Sequence, residues 1–289
     1  MGKFFGIFKK KIKGRQLRKE ASMIRRPAVG DRFYPADPHL LRAEIARYVA
    51  EEVEKKPAIA IMAPHAGYIY SGEVAGVAYS AVKLPGTFVI LCPNHTGIGS
   101  PAAIMTEGVW RMPMGDVSVN EGLAKDILSS STLLKDDHRA HLHEHSLEVQ
   151  LPFIQYFVSE LTLIPISLMT QQWGELKEIG EAVAAGVKGF GEEVMLVASS
   201  DMTHYESQEQ AETKDRMAID KILTLDPQGL LETVRFNNIS MCGVGPMVAT
   251  LVAAKELGAS KAELVKYDTS GRVSGDYDQV VGYAGIIIY

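Results

Sequence analysis

Three segments of the chain repeat one arrangement: a short apolar run ends in a turn that delivers a metal-ligand or acid/base side chain. Residues 58–63 lead into Pro64-His65-Ala66-Gly67-Tyr68, and residues 87–91 into Cys92-Pro93-Asn94-His95. Residues 194–198 lead into Ser199-Ser200-Asp201-Met202-Thr203-His204. Runs this short, rich in Ile, Val, Leu or Ala and bounded by turn residues, read as strands buried on both faces. In open α/β sheets ligands bind outside the carboxyl ends of the strands. Three such tips carrying His, His and an Asp/His pair therefore predict one converging site.

The remaining pattern supplies helices between the strands. A helix is expected over 38–55, opened by Asp37 as N-cap with Pro38 at its first position. Further helices are expected over 72–82, 120–130, 173–187, 207–223, 227–235 and 245–257, and further strands over 161–168, 263–268 and 282–289. Pro165 interrupts the 161–168 run, which predicts an edge strand or a bend there. Strands alternating with helices give a single α/β domain over 26–289, with a mostly parallel central sheet and helices on both faces.

Composition bounds the setting. The 289 residues are 46% hydrophobic and 22% charged, ordinary for a soluble globular chain. No run approaches the roughly 18 apolar residues of a transmembrane helix. Two cysteines, Cys92 and Cys242, are too few for a disulfide scaffold, so a reducing, cytoplasmic setting is expected. Residues 1–26 hold ten Lys or Arg against Glu20, a local +9, which leaves −14 on the rest of a chain whose net charge is −5. Residues 1–25 read as a basic, flexible extension. Its Phe4, Phe5, Ile7 and Phe8 make the first turns amphipathic, suited to weak membrane-surface contact. The acidic body argues against nucleic acid as a partner.

The candidate chemistry lies on few residues. His65 and His95 each follow a buried strand, and two neutral imidazoles suit Fe, Zn or Cu. Asp201 and His204, three apart, are placed to share one face of a helical turn, where a carboxylate orients a His, tunes its proton affinity or completes a metal shell. The competing reading makes Asp201 the N-cap of the next helix. Cys242, just before the amphipathic run 247–257, sits where a helix N-terminus favours thiolate, whereas Cys92 reads as core packing. His138, His141, His143 and His145 precede Glu148 and a helical pattern at Leu147, Leu151 and Ile154, with Pro152 starting or kinking that helix. His145 reads as a pocket residue, and His138, His141 and His143 as mostly exposed.

These segments together resemble the Memo-like protein family. The resemblance runs through Arg26-Pro27-Ala28-Val29 with Phe33-Tyr34-Pro35, Pro64-His65-Ala66-Gly67-Tyr68 with Ser71-Gly72, and Pro93-Asn94-His95. It continues through Glu144-His145-Ser146-Leu147-Glu148-Val149-Gln150-Leu151-Pro152-Phe153, Ser199 to Tyr205, Cys242-Gly243 and Val280-Val281-Gly282-Tyr283-Ala284. It implies a fold like that of class III extradiol ring-cleaving dioxygenases, whose non-haem iron is held by two His and a Glu. It also implies a pocket in which His65, His95 and Cys242 are the metal ligands, with Asp201 and His204 beside them. With those ligands, Asp201, His204 and His145 are expected either to support the ligands from outside or to act as acid/base groups. Cysteine in place of the carboxylate softens the site toward iron or copper and removes the ground for ring cleavage. The family is further described as redox-active, as an adaptor for phosphorylated peptides, and in prokaryotes as encoded near a radical-SAM protein.

Two classes of function follow. One is a non-haem metal-dependent oxidoreductase acting on a small molecule. The other is a non-catalytic protein that uses the same pocket to bind a ligand or peptide or to store a metal.

Overall fold

Four apolar runs satisfy their backbone groups on one another. In the computed structural model, which describes residues 23–50 and 53–289, Thr162–Leu168, Thr87–Pro93, Val194–Ser199 and Ala60–Ala63 lie side by side in that order, all parallel. Leu91 stands beside Ala198, and Ala198 beside Met62. This register brings the turns after Ala63, Pro93 and Ser199 to one end of the sheet. Val280–Ile288 pairs antiparallel with Ala60–Ala63, and Ala262–Thr269 with Val280–Ile288. On the other flank Gly115–Val119 runs parallel to Thr162–Leu168, with Val109–Met112 antiparallel beyond it. The sheet is thus parallel in its middle and mixed at its edges.

Helices cover it on both faces. Val244–Glu256 packs on Val194–Ser199 and Thr87–Pro93 and against Trp173–Phe190, while Tyr68–Ser80 packs on Ala60–Ala63 and Val280–Ile288. No helix among the described residues is long and apolar enough to cross a membrane. The basic extension and its membrane-surface contact lie outside the described residues up to position 22.

Several local expectations change, each for a tertiary reason. The helix capped by Asp37, which accepts from the His39 and Leu40 amides at 2.9 Å, ends at Tyr48 rather than near 55. Beyond it the Ala50 amide donates to Ser80 Oγ, so contact with the next helix replaces continuation of this one. Pro165 lies inside a central strand, not at an edge. The carbonyls of Leu163 and Pro165 accept from Asn120 and Met105, so Pro165's missing N–H points to the side where the partner changes from Gly115–Val119 to Ala102–Ile104. Pro152 falls in the first turn of Gln150–Phe157, where an amide needs no helical partner, and no kink is required.

The 201–204 segment is not helical. Met202 N donates to Gly282 O, Gly282 N to Thr203 O, and Thr203 N to Asp215 Oδ1, and His204–Glu206 forms a short strand beside Val280 and Val281. Ser207, not Asp201, caps the next helix. His138 and His143 are exposed as expected, but His141 is fully buried against Trp110, with ring centroids 6.0 Å apart. Arg25, counted above in the basic extension, is also fully buried and forms an ion pair with Glu148.

Candidate metal centre

The site grows from the three strand tips and one segment laid across them. The one Ser146 hydroxyl proton is shared between the Glu144 carboxylate at 2.7 Å and the Pro93 carbonyl at 3.1 Å, Ser199 Oγ donates to the Ser146 carbonyl at 2.6 Å, and Gln150 Nε2 donates to the Pro64 carbonyl at 2.9 Å. Residues 144–150 are thereby stitched to the ends of three parallel strands. That stitching places His145 among the tip residues.

His65, His95 and His145 come together. One nitrogen from each lies within 4.8 Å of the others, and the ring centroids are 5.2, 5.5 and 4.8 Å apart for the 65–95, 65–145 and 95–145 pairs. The hydrogen bonds fix which nitrogen faces inward. Ser199 Oγ spends its proton on Ser146 O and receives Gln150 Nε2 at 2.8 Å, so it accepts from His65 Nδ1–H at 2.9 Å. His65 Nε2 keeps its lone pair. His95 Nδ1 donates to Glu144 Oε1 at 2.9 Å, and His145 Nδ1 lies 3.5 Å from the same oxygen, which leaves both Nε2 atoms free as well. A ring N–H tied to a carboxylate or hydroxyl is the arrangement that orients a histidine for metal.

Glu144 is the hub of this arrangement. Its buried carboxylate accepts from the His95 amide at 2.5 Å, from His95 Nδ1, and from Ser146 N and Oγ at 2.9 and 2.7 Å. Burial pushes its proton affinity up, but the bonds from His95 and Ser146 outweigh that and hold the carboxyl at about 2. Burial pulls His95 down, and Glu144 more than reverses it. Burial, reinforced by the neighbouring imidazoles, holds His65 well below the usual histidine range, and burial lowers His145 against the pull of Glu144. At neutral pH His65 and His145 therefore present neutral imidazole, the form a metal binds.

Cys242 reaches the pocket from the turn before Val244–Glu256. Its Sγ lies 3.2 Å from His65 Nε2 and accepts from the Asp201 amide at 3.3 Å. Gly243 permits this approach, because a Cβ there would sit 2.4 Å from the Ser199 carbonyl. Burial and the Asp201 carboxylate raise the thiol's proton affinity, so the free site holds thiol. Asp201 accepts from the His65 amide at 2.7 Å, with Oδ2 3.9 Å from His65 Nε2, and burial raises its proton affinity. His204 stands apart from the three-histidine group: its Nδ1 donates to the Ser240 carbonyl at 3.0 Å and it is partly exposed. Cys92 is core, as expected.

Sequence reading passed over Glu144, Ser199 and Gln150. The signal lay in Glu-His-Ser, a carboxylate flanking a histidine, but neither which rings Glu144 holds nor its burial is visible without the fold.

A family model described as Memo-like protein matches residues 25–287. The chain is 44% identical over 279 residues to a MEMO1 family protein of Methanopyrus kandleri, covering 92% of this chain and 99% of that one. It is 45% identical over 267 residues to a MEMO1 family protein of Methanococcoides burtonii, covering 92% and 100%. Among solved structures it is similar to an uncharacterized protein of Escherichia coli K12, with a TM-score of 0.51 and 12% identity, covering 79% of this chain and 98% of that one. That likeness concerns the fold alone.

Proposed function

We infer the function from two facts: the chain belongs to the Memo-like protein family, and three imidazoles gather beside its strand tips, with the Cys242 thiol against one of them, His65. The pocket is a transition-metal site for iron or copper, with His65, His95 and Cys242 as ligands joined by His145. The donor set fits such an ion. Imidazole suits iron and copper alike, and a single thiolate tilts the set toward redox-capable metals over magnesium or calcium. The observation that carries the reading is the anchoring of the Nδ1 atoms of His65 and His95, which leaves their Nε2 lone pairs for an ion in a group whose ligand nitrogens lie within 4.8 Å of one another.

The protein serves as a non-haem oxidoreductase for a small molecule. A bound ion supplies a Lewis-acidic, redox-active centre. Asp201, whose proton affinity is raised by burial and which accepts from the His65 amide, stands at the pocket wall as the group that takes a proton from ligand and returns it. Glu144 fixes His95 and steadies the positive charge the centre acquires. His204, outside the histidine cluster, acts at the pocket edge.

Metal analysis of protein purified without chelators tests this reading. About one equivalent of iron or copper per chain, lost in His95→Ala and accompanied by O₂ uptake with a reducing substrate, is the expected result. Retained metal with no turnover on any reductant favours storage or ligand capture, and absence of metal together with failure to take up added iron or copper overturns the site.

A further inference from the structure

We propose that Arg25 is a positioning residue of the metal centre, a pin that holds the histidine-bearing segment in place from the far side. This rests on the metal reading above. Arg25 lies well before that segment in sequence, is fully buried, and touches none of the ligands.

Its guanidinium donates in three directions into one stretch of chain. Nε donates to the His141 carbonyl at 3.0 Å, Nη2 to the Glu144 carbonyl at 2.6 Å, and Nη1 to the Glu148 carboxylate. These acceptors bracket Glu144 and His145 on both sides. The stretch between the short 3₁₀ turn His138–His141 and the helix Gln150–Phe157 has no regular structure of its own, so its shape depends on such tertiary bonds. The pin is itself anchored. The guanidinium carbon lies 4.3 Å from the Trp110 ring centroid, and Glu148 also accepts from the Ala28 and Val29 amides at 2.7 and 3.1 Å and from the Tyr34 hydroxyl at 2.5 Å.

The consequence runs through one carboxylate. The Glu144 backbone is held by Arg25, and the Glu144 side chain holds His95 and borders His145 Nδ1. A shift of the Glu144 carbonyl moves two of the imidazoles together. Lysine cannot replace the pin, because a single ammonium does not span three acceptors arranged around a planar fork. Residues that orient metal ligands from outside typically cost about 10- to 100-fold in metal affinity when changed.

The test uses cobalt(II) as probe on the full chain, reading affinity by titration and site geometry by the visible absorption band. Arg25→Lys is expected to stay folded by far-UV circular dichroism, to bind cobalt about 10- to 100-fold more weakly, and to shift the band. Arg25→Met/Glu148→Gln, which removes the buried cation together with its counter-charge and keeps a side-chain oxygen for the Val29 amide and the Tyr34 hydroxyl though not for the Ala28 amide, is expected to do the same and decides the matter if the lysine variant fails to fold. Ile127→Ala, a buried change on the helix Glu121–Ser129, supplies a destabilised control. Wild-type affinity and band in the folded Arg25 variants overturn the pin and leave the metal centre standing. Equal losses in Ile127→Ala overturn it too, by showing general instability. Failure of the unaltered protein to bind cobalt overturns both the metal reading and this one.

Discussion

At the amino end of the parallel strands, Lys56, Pro57, Ala58, Ile59 and Tyr289 line a depression of about 500 Å³ with mostly apolar walls. At the carboxyl end, His65, His95, His145, Cys242, Asp201 and Glu144 crowd into a tighter space where donors already sit in bonding contact. The depression lies where Ala60–Ala63 begins and Val280–Ile288 ends, and the polar cluster where three parallel strands end. Room is offered at one and chemistry at the other. Burying polar groups costs several kcal/mol unless each is bonded, so a dense, bonded polar cluster marks a function better than an open apolar hollow does.

The largest expected contrast between the ends is in metal binding. His65→Ala and His95→Ala should each abolish high-affinity binding in a calorimetric titration, whereas Tyr289→Ala should leave it unchanged. Comparable losses from the amino-end change would erase the distinction.

The two cysteines sharpen it. Cys242→Ser should weaken metal binding by at least about tenfold with little loss of melting temperature. Cys92→Ser, in the fully buried strand Thr87–Pro93, should keep the affinity and cost about 1–3 kcal/mol of stability in a denaturant titration. The reverse pattern would mean that the thiol in the strand is the ligand.

Acid should attack the carboxyl end first. His141 behind the site is fully buried, neither ring nitrogen has a partner among the described residues, and burial together with Arg25 lowers its proton affinity to about 3. Its unfolded form binds a proton near pH 6.5. The stability due to the neutral ring is therefore complete above about pH 6.5 and lost as pH falls toward 3, by up to about 5 kcal/mol. Melting curves between pH 7 and 4 should show a shallower decline for His141→Leu than for the unaltered chain. An unchanged slope would place the acid sensitivity elsewhere.

The smallest effect belongs to the amino end. The half-exposed Lys56–Glu263 pair is solvent-screened, and Lys56→Met should leave the melting temperature within error.

Much of this was legible in the sequence, and the boundary has a physical cause. Local apolar runs locate strands, and parallel strands put their tips at one end, so the juxtaposition of His65, His95 and Asp201 followed from pattern alone. Cys242 and His145 needed the family resemblance or their local setting, since neither follows one of the three patterned strands. What stayed hidden was set by contacts far apart in sequence. Pro165 looked like an edge or a bend because the change of strand partner beside it is invisible locally. Asp201 and His204 looked like one helical face because the last strand, which draws their backbone into extended pairing, lies some 80 residues on. His141 and Arg25 looked like exposed members of charged runs, and only the fold places them inside, one against Trp110 and the other against Glu148.

X-ray absorption of the zinc-loaded protein tests most directly the claim that the strand tips form one metal centre. The account predicts imidazole nitrogens at about 2.0–2.1 Å and one sulfur at about 2.3 Å, with the sulfur shell absent in Cys242→Ser and retained in Cys92→Ser. A shell of oxygen ligands without imidazole scattering, unchanged in His95→Ala, would contradict it.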